Sequence, residues 1–178
     1  MPEEYLDIVD ENGDLTGEKE LRSVCHEKGL WHRIVVAVLF RKNKDSLEIL
    51  VHLRSKFKEG KPNTWDPKFG GHVKSGHTLE EGLEDELWDE IGLKIDRNLL
   101  IQGYSGKHYG VNNCEIGYVD YYPFNDDTES LKFNDGEVQE VKWMKEQDIL
   151  KDIEYSPEKW NHRLESMREI FNDMKSKI

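Results

Sequence analysis

Three acidic side chains, Glu86, Asp89 and Glu90, have a spacing that would let them bind a metal ion together. Glu86 and Glu90 are one helical turn apart, at the edge of an apolar stripe. The stripe consists of Leu79, Leu83, Leu87 and Ile91. Two carboxylates at this spacing repel each other, and partial burial raises the cost further unless a cation neutralises them. Hard cations such as Mg²⁺ and Mn²⁺ prefer oxygen ligands, so the segment predicts a site for one or more such ions; a solvated acidic face is the alternative.

The segment before these acids is rich in glycine and follows a basic stretch. Residues 70–76 read GGHVKSG, and the backbone at Gly71 can approach a ligand closely. The basic residues upstream are His52, Arg54, Lys56, Lys58, Lys61 and Lys68, opposed only by Glu59 and Asp66. A metal ion can bridge phosphate oxygens while basic side chains balance the remaining charge, so this arrangement suits a magnesium-bound phosphate substrate. The alternative is a lysine-rich loop that only aids solubility.

The strands expected from the sequence form the frame for this segment. The run 34–40 (IVVAVLF) is almost entirely apolar and β-branched, which predicts a strand buried on both faces. Further strands are expected at 5–9, 47–53, 99–105, 114–122 and 137–143, with turns at 12–13 and 42–46 and a long loop at 55–68.

Two helices are expected. Thr78 and Glu81 form a capping box and Gly92 is a helix-ending glycine, so a helix should cover 79–91. The sequence Ser-Pro-Glu at 156–158 offers an N-cap with proline at the first helical position, which predicts a C-terminal helix over 156–176. Its apolar residues are Trp160, Leu164, Met167, Phe171 and Met174. This stripe favours a helix docked on the sheet, although a homodimer built on it stays open, and the order of elements makes α+β the expected fold class.

The composition excludes several classes of function. The 178 residues carry 25 Lys+Arg and 37 Asp+Glu, a formal charge of −12, which argues against binding to a nucleic-acid duplex or an anionic membrane surface. No apolar run approaches the roughly 18 residues of a membrane span, and residues 1–4 (MPEE) are unlike a signal peptide. Cys25 and Cys114 form neither a disulfide framework nor a zinc motif. We therefore expect one domain in the reducing cytoplasm.

Residues 71–93 resemble the Nudix box, whose pattern is G-x5-E-x7-R-E-U-x-E-E-x-G-U, where U is an aliphatic residue. The matching positions are Gly71, the pair Glu86-Leu87, the pair Asp89-Glu90 and the closing Gly92-Leu93. The resemblance implies a Nudix-type α/β/α sandwich, in which a mixed central sheet lies between the box helix and the C-terminal helix. It also implies a single Nudix domain over 1–178, with an N-terminal hairpin and loop extension at 1–30.

Three positions depart from the pattern. His77 replaces a glutamate, Asp85 replaces the arginine, and Asp89 is a shortened glutamate. In the family the arginine is expected to brace the loop and helix through carboxylate contacts, which Asp85 cannot do. One hypothesis is a swapped pair, in which a cationic His77 meets an anionic Asp85. The other is a weakened enzyme that binds a nucleotide or a protein without turnover; the retained carboxylates favour activity.

Outside the box the chain resembles the isopentenyl-diphosphate-isomerase-like branch, at residues 4–10, 16–17, 26–33, 53–55 and 70–72. True isomerases of this branch have a proton-transferring cysteine just before the glycine-histidine pair, where this chain has Gly70. Isomerisation is therefore the least expected activity. The branch also implies a further metal site, for which the candidates are His26, His32, His72 and Glu115. Neutral imidazole is a better ligand for Mn²⁺ or Zn²⁺ than for Mg²⁺.

The resemblance implies a metal-dependent hydrolase, using Mg²⁺ or Mn²⁺, that cleaves a nucleoside-diphosphate-type or other small organic diphosphate by attack of water at phosphorus. Glu86, Glu90 and Glu115 would hold the metal, with Asp89 close by. Glu137 or Glu115 would accept the proton from water, with Asp89 as a further candidate. The expected phosphate contacts are Arg33, Arg54, Lys74 and the backbone of Gly71. The aromatic residues that could stack on a base are Trp31, Trp65, Phe69 and Tyr104, although aromatic residues in strands are more often part of a core.

Overall fold

The computed structural model describes residues 4–43, 46–58, 60–110 and 113–178. The strands are β1 (Tyr5–Val9), β2 (Leu15–Leu21), β3 (Trp31–Asn43), β4 (Ser46–Arg54), β5 (Trp65–Asp66), β6 (Phe69–His72), β7 (Ile101–Gly110), β8 (Asn113–Pro123) and β9 (Val138–Lys145). The helices are α1 (Arg22–Lys28), α2 (Leu79–Ile91), α3 (Glu146–Tyr155) and α4 (Leu164–Lys177). Three predicted features lie partly outside the described residues. They are the chain start at 1–4, the turn at 42–46 and the loop at 55–68.

A mixed sheet forms the centre of the fold. Its strand order is β5-β4-β3-β8-β7, with β6 also paired to β3 and β9 to β4. β3 and β8 run parallel and the other pairs are antiparallel. The apolar run of β3 explains its central place, because Val35, Ala37 and Leu39 enter the core on one face while Val38 and Phe40 enter the core on the other. The expected strand buried on both faces is confirmed.

Helices cover both faces of the sheet. On one face α2 buries Leu83, Leu87 and Ile91 against β3, and full burial of each such side chain stabilises the fold by about 1.5–3 kcal/mol. On the other face α3 and α4 pack Ile149, Phe171 and neighbouring apolar residues against the sheet. The expected α+β sandwich is confirmed. None of the helices in the described residues is long and apolar enough to cross a membrane.

The N-terminal segment forms the expected hairpin. β1 and β2 pair antiparallel, and the turn between them is closed by the carboxylate of Asp10, which accepts hydrogen bonds from the backbone N–H of Asn12 (2.8 Å) and Asp14 (3.0 Å). The hairpin is joined to the loop before α2, since the Ser75 hydroxyl donates to the carboxylate of Asp7 at 2.6 Å. α1, which follows the hairpin, was not expected from the sequence.

The predicted C-terminal helix over 156–176 is wrong in its first third. Residues 157–159 form only a single 3₁₀ turn, and the helix α4 begins at Leu164. The reason is tertiary: Trp160 is extended, forms a bridge with Trp65, and its buried indole donates to the carboxylate of Asp152 at 3.0 Å. The apolar stripe of α4 is buried as expected, whereas α3 was missed.

Candidate active site

The helix α2 begins and ends as its sequence predicts. The Thr78 hydroxyl accepts a hydrogen bond from the Glu81 N–H (3.2 Å), and the Glu81 carboxylate accepts one from the Thr78 N–H (2.9 Å). At the other end Gly92 is left-handed, with φ 66°. The caps and the buried stripe fix the rotation of the helix, and this rotation directs Glu86 and Glu90 towards β6.

Two glycines of β6 bring the backbone against these carboxylates. The N–H of Gly70 donates to the carboxylate of Glu90 at 2.8 Å, and Glu90 is only 2% exposed. A β carbon on Gly71 would lie 2.6 Å from the nearest carboxylate oxygen of Glu86, so a side chain there would displace that carboxylate. The glycine-rich strand therefore lies directly against the acidic edge of α2.

Burial makes both carboxylates costly in their charged form. It raises the pKa of Glu86 to about 7. It also raises the pKa of Glu90 well above its usual range, and the charge of Glu86 adds to this effect. A pair of oxygen ligands one helical turn apart, one buried and one half-buried, fits a hard divalent ion such as Mg²⁺ or Mn²⁺, because such an ion would neutralise both acids. Asp89, the third predicted ligand, is more exposed (51%).

The loop between β8 and β9 brings a further acid to the site. Backbone and side-chain donors at 132–135 contact the last carbonyls of α2, including the Asp135 N–H on the Asp89 carbonyl at 3.1 Å. The Glu137 N–H then donates to the Asp135 carboxylate at 2.8 Å. The carboxylate of Glu137 forms an ion pair with Lys58. The predicted base Glu137 thus lies beside the C-terminal end of α2, and its role as a base stays a prediction.

Three histidines and a glutamate form a second cluster. Ligand atoms of His26, His32, His72 and Glu115 lie within 4.8 Å of one another. The register explains this, since β3 pairs His32 with Glu115 on one side and Ile34 with His72 on the other, while α1 brings His26. The Glu115 carboxylate is 3.7 Å from His32 Nε2 and 3.6 Å from His72 Nε2. The structure therefore brings together all four residues that the branch resemblance implies.

The donors of this second cluster fit a metal ion. His32 Nδ1 lies 2.8 Å from the Leu30 carbonyl, which can only accept, so Nε2 carries the lone pair; this buried Nε2 has no hydrogen-bond partner in the described residues. Burial lowers the pKa of His26 and of His72, which favours neutral imidazoles. Burial acts to raise the pKa of Glu115, but the neighbouring His32 and His72 hold it well below its usual range. Neutral imidazoles with a carboxylate are suitable ligands for Mn²⁺ or Zn²⁺.

Two of the three departures from the Nudix box are in contact with each other. His77 Nδ1 lies 3.2 Å from the carboxylate of Asp85, as the swapped-pair hypothesis requires. Lys74 adds a second cation, 3.4 Å from Asp85 and 3.7 Å from Asp89. Lys74 was predicted as a phosphate contact, but in the structure its ammonium lies between two acids of α2.

The two predicted phosphate-binding arginines contact protein groups beside the site. Arg33 lies 3.5 Å from the carboxylate of Asp7, and Arg54 lies 3.8 Å from that of Asp66. Within the described ranges neither guanidinium forms an ion pair with α2. The Nε atom of each is buried and has no hydrogen-bond partner there. Each arginine therefore keeps one donor that the described protein groups do not use.

No pattern in the sequence predicted the buried network around Asp66. Its carboxylate accepts hydrogen bonds from the side chains of Asn161 (2.6 Å) and His162 (2.9 Å) and from the Lys68 N–H (2.9 Å). Burial acts against the charge, but His162 holds the pKa of Asp66 well below its usual range. The network ties the segment between α3 and α4 to β5. Among the aromatic candidates for base stacking, Phe69 is fully buried and belongs to the core.

Comparisons with known proteins identify the family. A model described as NUDIX domain matches residues 30–164. The chain belongs to the Nudix family. A Nudix hydrolase of Clostridium acetobutylicum, described as uncharacterised, is 37% identical over 101 residues, which cover 57% of this chain and 48% of that protein. The family resemblance predicted from the box is therefore confirmed.

Two further relatives cover nearly the whole chain. An isopentenyl-diphosphate Δ-isomerase of Aliivibrio fischeri is 26% identical over 159 residues, 87% of each chain. The crystal structure of DR0079 from Deinococcus radiodurans has a TM-score of 0.73 at 25% identity, and the match covers 94% of this chain and 99% of that one. Further relatives are named Nudix hydrolases. The chain spans about half the length of the Clostridium relative.

Proposed function

We propose that this Nudix protein is a divalent-metal-dependent hydrolase that cleaves the diphosphate linkage of a nucleoside-diphosphate-type or other organic diphosphate. The observation that carries the proposal is the pair Glu86 and Glu90, which lies against the glycines of β6 with raised pKa values; Glu90 is buried and Glu86 is half-buried. Charged acids that are removed from water destabilise a fold, and a bound cation reduces that cost. The family membership makes a diphosphate the natural ligand of such an ion.

The residues around the site divide the work of hydrolysis. Glu86 and Glu90 would hold Mg²⁺ or Mn²⁺, and the ion would polarise the phosphoryl oxygens and lower the pKa of the attacking water. Glu137, on the loop fixed to the end of α2, is the candidate to accept the proton of that water. Arg33 and Arg54 each keep a buried Nε donor that could bind a phosphate oxygen.

The second cluster would hold a softer ion beside the first. His26, His32, His72 and Glu115 offer neutral imidazoles and one charged carboxylate, a set suited to Mn²⁺. Both cysteines are free, which is compatible with the reducing cytoplasm in which we expect the enzyme to act.

Hydrolysis is favoured over isomerisation because of Gly70. Its φ is +139°, and a β carbon there would lie 2.1 Å from the carbonyl oxygen of Val35. The position that carries a cysteine in true isomerases of the related branch therefore cannot hold any side chain in this backbone. Gly70 has no side chain that could transfer a proton there, whereas the acids of α2 would serve to activate water through the bound ion.

A substrate screen with Mg²⁺ and with Mn²⁺ tests the proposal. We expect release of phosphate or of a nucleoside monophosphate from at least one nucleoside diphosphate derivative. Glu90→Gln should abolish it, and Glu80→Gln, an exposed acid on the same helix, should leave it unchanged. Calorimetric binding of diphosphates without turnover would instead support the weakened binding module. Conversion of isopentenyl diphosphate would support an isomerase.

A further inference from the structure

Lys58 lies at the acidic edge of α2 although it belongs to the loop between β4 and β5. A short turn fixes it there: the Lys58 N–H donates to the Ser55 carbonyl (3.2 Å), and the Ser55 N–H donates to the Glu137 carbonyl (2.7 Å). The lysine side chain is only 22% exposed and forms an ion pair with the carboxylate of Glu137. The loop is therefore held so that its ammonium points at the site.

One ammonium serves several acids at this place. Besides Glu137, the charges of Glu90, Asp135 and Glu86 act on Lys58 and favour its charged form, while burial lowers its pKa. In return Lys58 stabilises the charged forms of Glu86, Glu90 and Asp135. Burial would otherwise make these carboxylates more costly to keep charged.

A divalent ion held by Glu86 and Glu90 would carry twice the charge of Lys58 and would need the same carboxylates. Two cations so close repel each other, so they compete for this position. An ammonium on a flexible four-carbon stem can leave, whereas the helical carboxylates are fixed by the packing of α2. A lysine released from the acids would remain next to the C-terminal end of α2, where it could balance the negative charge of a diphosphate.

We propose that Lys58 is the counter-cation that a divalent ion displaces from its ion pair with Glu137 beside Glu86 and Glu90, and that its release provides a charge for the substrate diphosphate. The inference rests on the proposed function, since it takes Glu86 and Glu90 as metal ligands. Metal binding is then an exchange of cations. The affinity for the metal is lower than the carboxylates alone would give, and Lys58 stabilises the metal-free protein.

Calorimetric titration with Mg²⁺ tests the exchange, because Mg²⁺ binds poorly to the histidine cluster. We expect Lys58→Met to bind Mg²⁺ about tenfold more tightly than the wild type, equal to about 1.4 kcal/mol. The metal-free variant should also unfold at a lower temperature, since its buried acids lose their counter-charge. Lys58→Gln provides a second neutral side chain. Lys56→Met is the matched control: Lys56 is exposed, lies over the Phe57 ring and has no ion pair in the described part of the chain. It should change neither quantity.

Each outcome is informative. Mg²⁺ binding that is equal or weaker in Lys58→Met would overturn the exchange while leaving the metal site intact. A gain of the same size in Lys56→Met would show a general charge effect and would also overturn it. If neither the wild type nor the Lys58 variants show Mg²⁺ binding that Glu90→Gln removes, the proposed hydrolase itself fails.

Discussion

Replacing Glu86 by glutamine should remove about 2–3 kcal/mol of pH dependence from the stability of the metal-free protein between pH 5 and pH 8. Burial raises the pKa of this carboxyl from 4.5 to about 7. Because the folded pKa is the higher one, the contribution of Glu86 is fully present below about pH 4.5 and is lost as the pH rises through about 7. Each unit of pKa difference corresponds to about 1.4 kcal/mol.

The assay is urea denaturation of chelator-treated protein at pH 5, 6, 7 and 8, with the free energy of unfolding extrapolated to water. The wild type should lose stability relative to Glu86→Gln as the pH rises, and saturating Mg²⁺ should restore most of the loss at pH 8. Comparing the two proteins cancels the titration of His26 and His72, which is common to both. Glu80→Gln, an exposed acid on α2, should follow the wild type. If the free energies of unfolding of the wild type and Glu86→Gln change with pH in parallel, the raised pKa of Glu86 is wrong.

Three further predictions concern the loop, the helix and the second cluster. Gly71→Ala should weaken Mg²⁺ binding at least about fivefold, since its β carbon would lie 2.6 Å from the Glu86 carboxylate and would displace it. Gly60→Ala, whose β carbon would lie in open space, should bind Mg²⁺ like the wild type, and equal Mg²⁺ affinities of Gly71→Ala and the wild type would contradict this. In urea denaturation, Asp85→Arg should lower the free energy of unfolding by about 0.5–1 kcal/mol, and adding His77→Glu should restore it. Purely additive effects of the two substitutions would show that this pair does not stabilise the loop and helix of the box. Glu115→Gln should weaken Mn²⁺ binding by calorimetry without changing that of Mg²⁺, and equal losses for both ions would argue against two separate sites.

The local signals in the sequence predict the elements that carry the site. The capping box, the closing Gly92 and the apolar stripe determine α2, and the continuous apolar run determines β3. These features depend on residues a few positions apart, so the sequence displays them directly. The resemblance to the Nudix box predicted that the acids of α2 form a site. The branch resemblance predicted that the four residues of the histidine cluster lie together.

The features that sequence reasoning missed depend on contacts between distant parts of the chain. The segment at 156–163 has a good helix start, but the bridge from Trp160 to Trp65 holds it extended. Lys58 is one of several lysines in its loop, and only the hydrogen bond from Ser55 to the Glu137 segment singles it out. Lys74 fits a phosphate contact by its charge, yet the rotation of α2 places it against two acids.

A crystal soaked in Mn²⁺ shows whether the acids of α2 hold a metal ion. We expect an anomalous difference peak between the carboxylates of Glu86 and Glu90, at about 2.0–2.3 Å from their oxygens, which Glu90→Gln removes. If that position is empty at saturating Mn²⁺, in crystals at a pH where the protein is active, the proposed metal site is wrong.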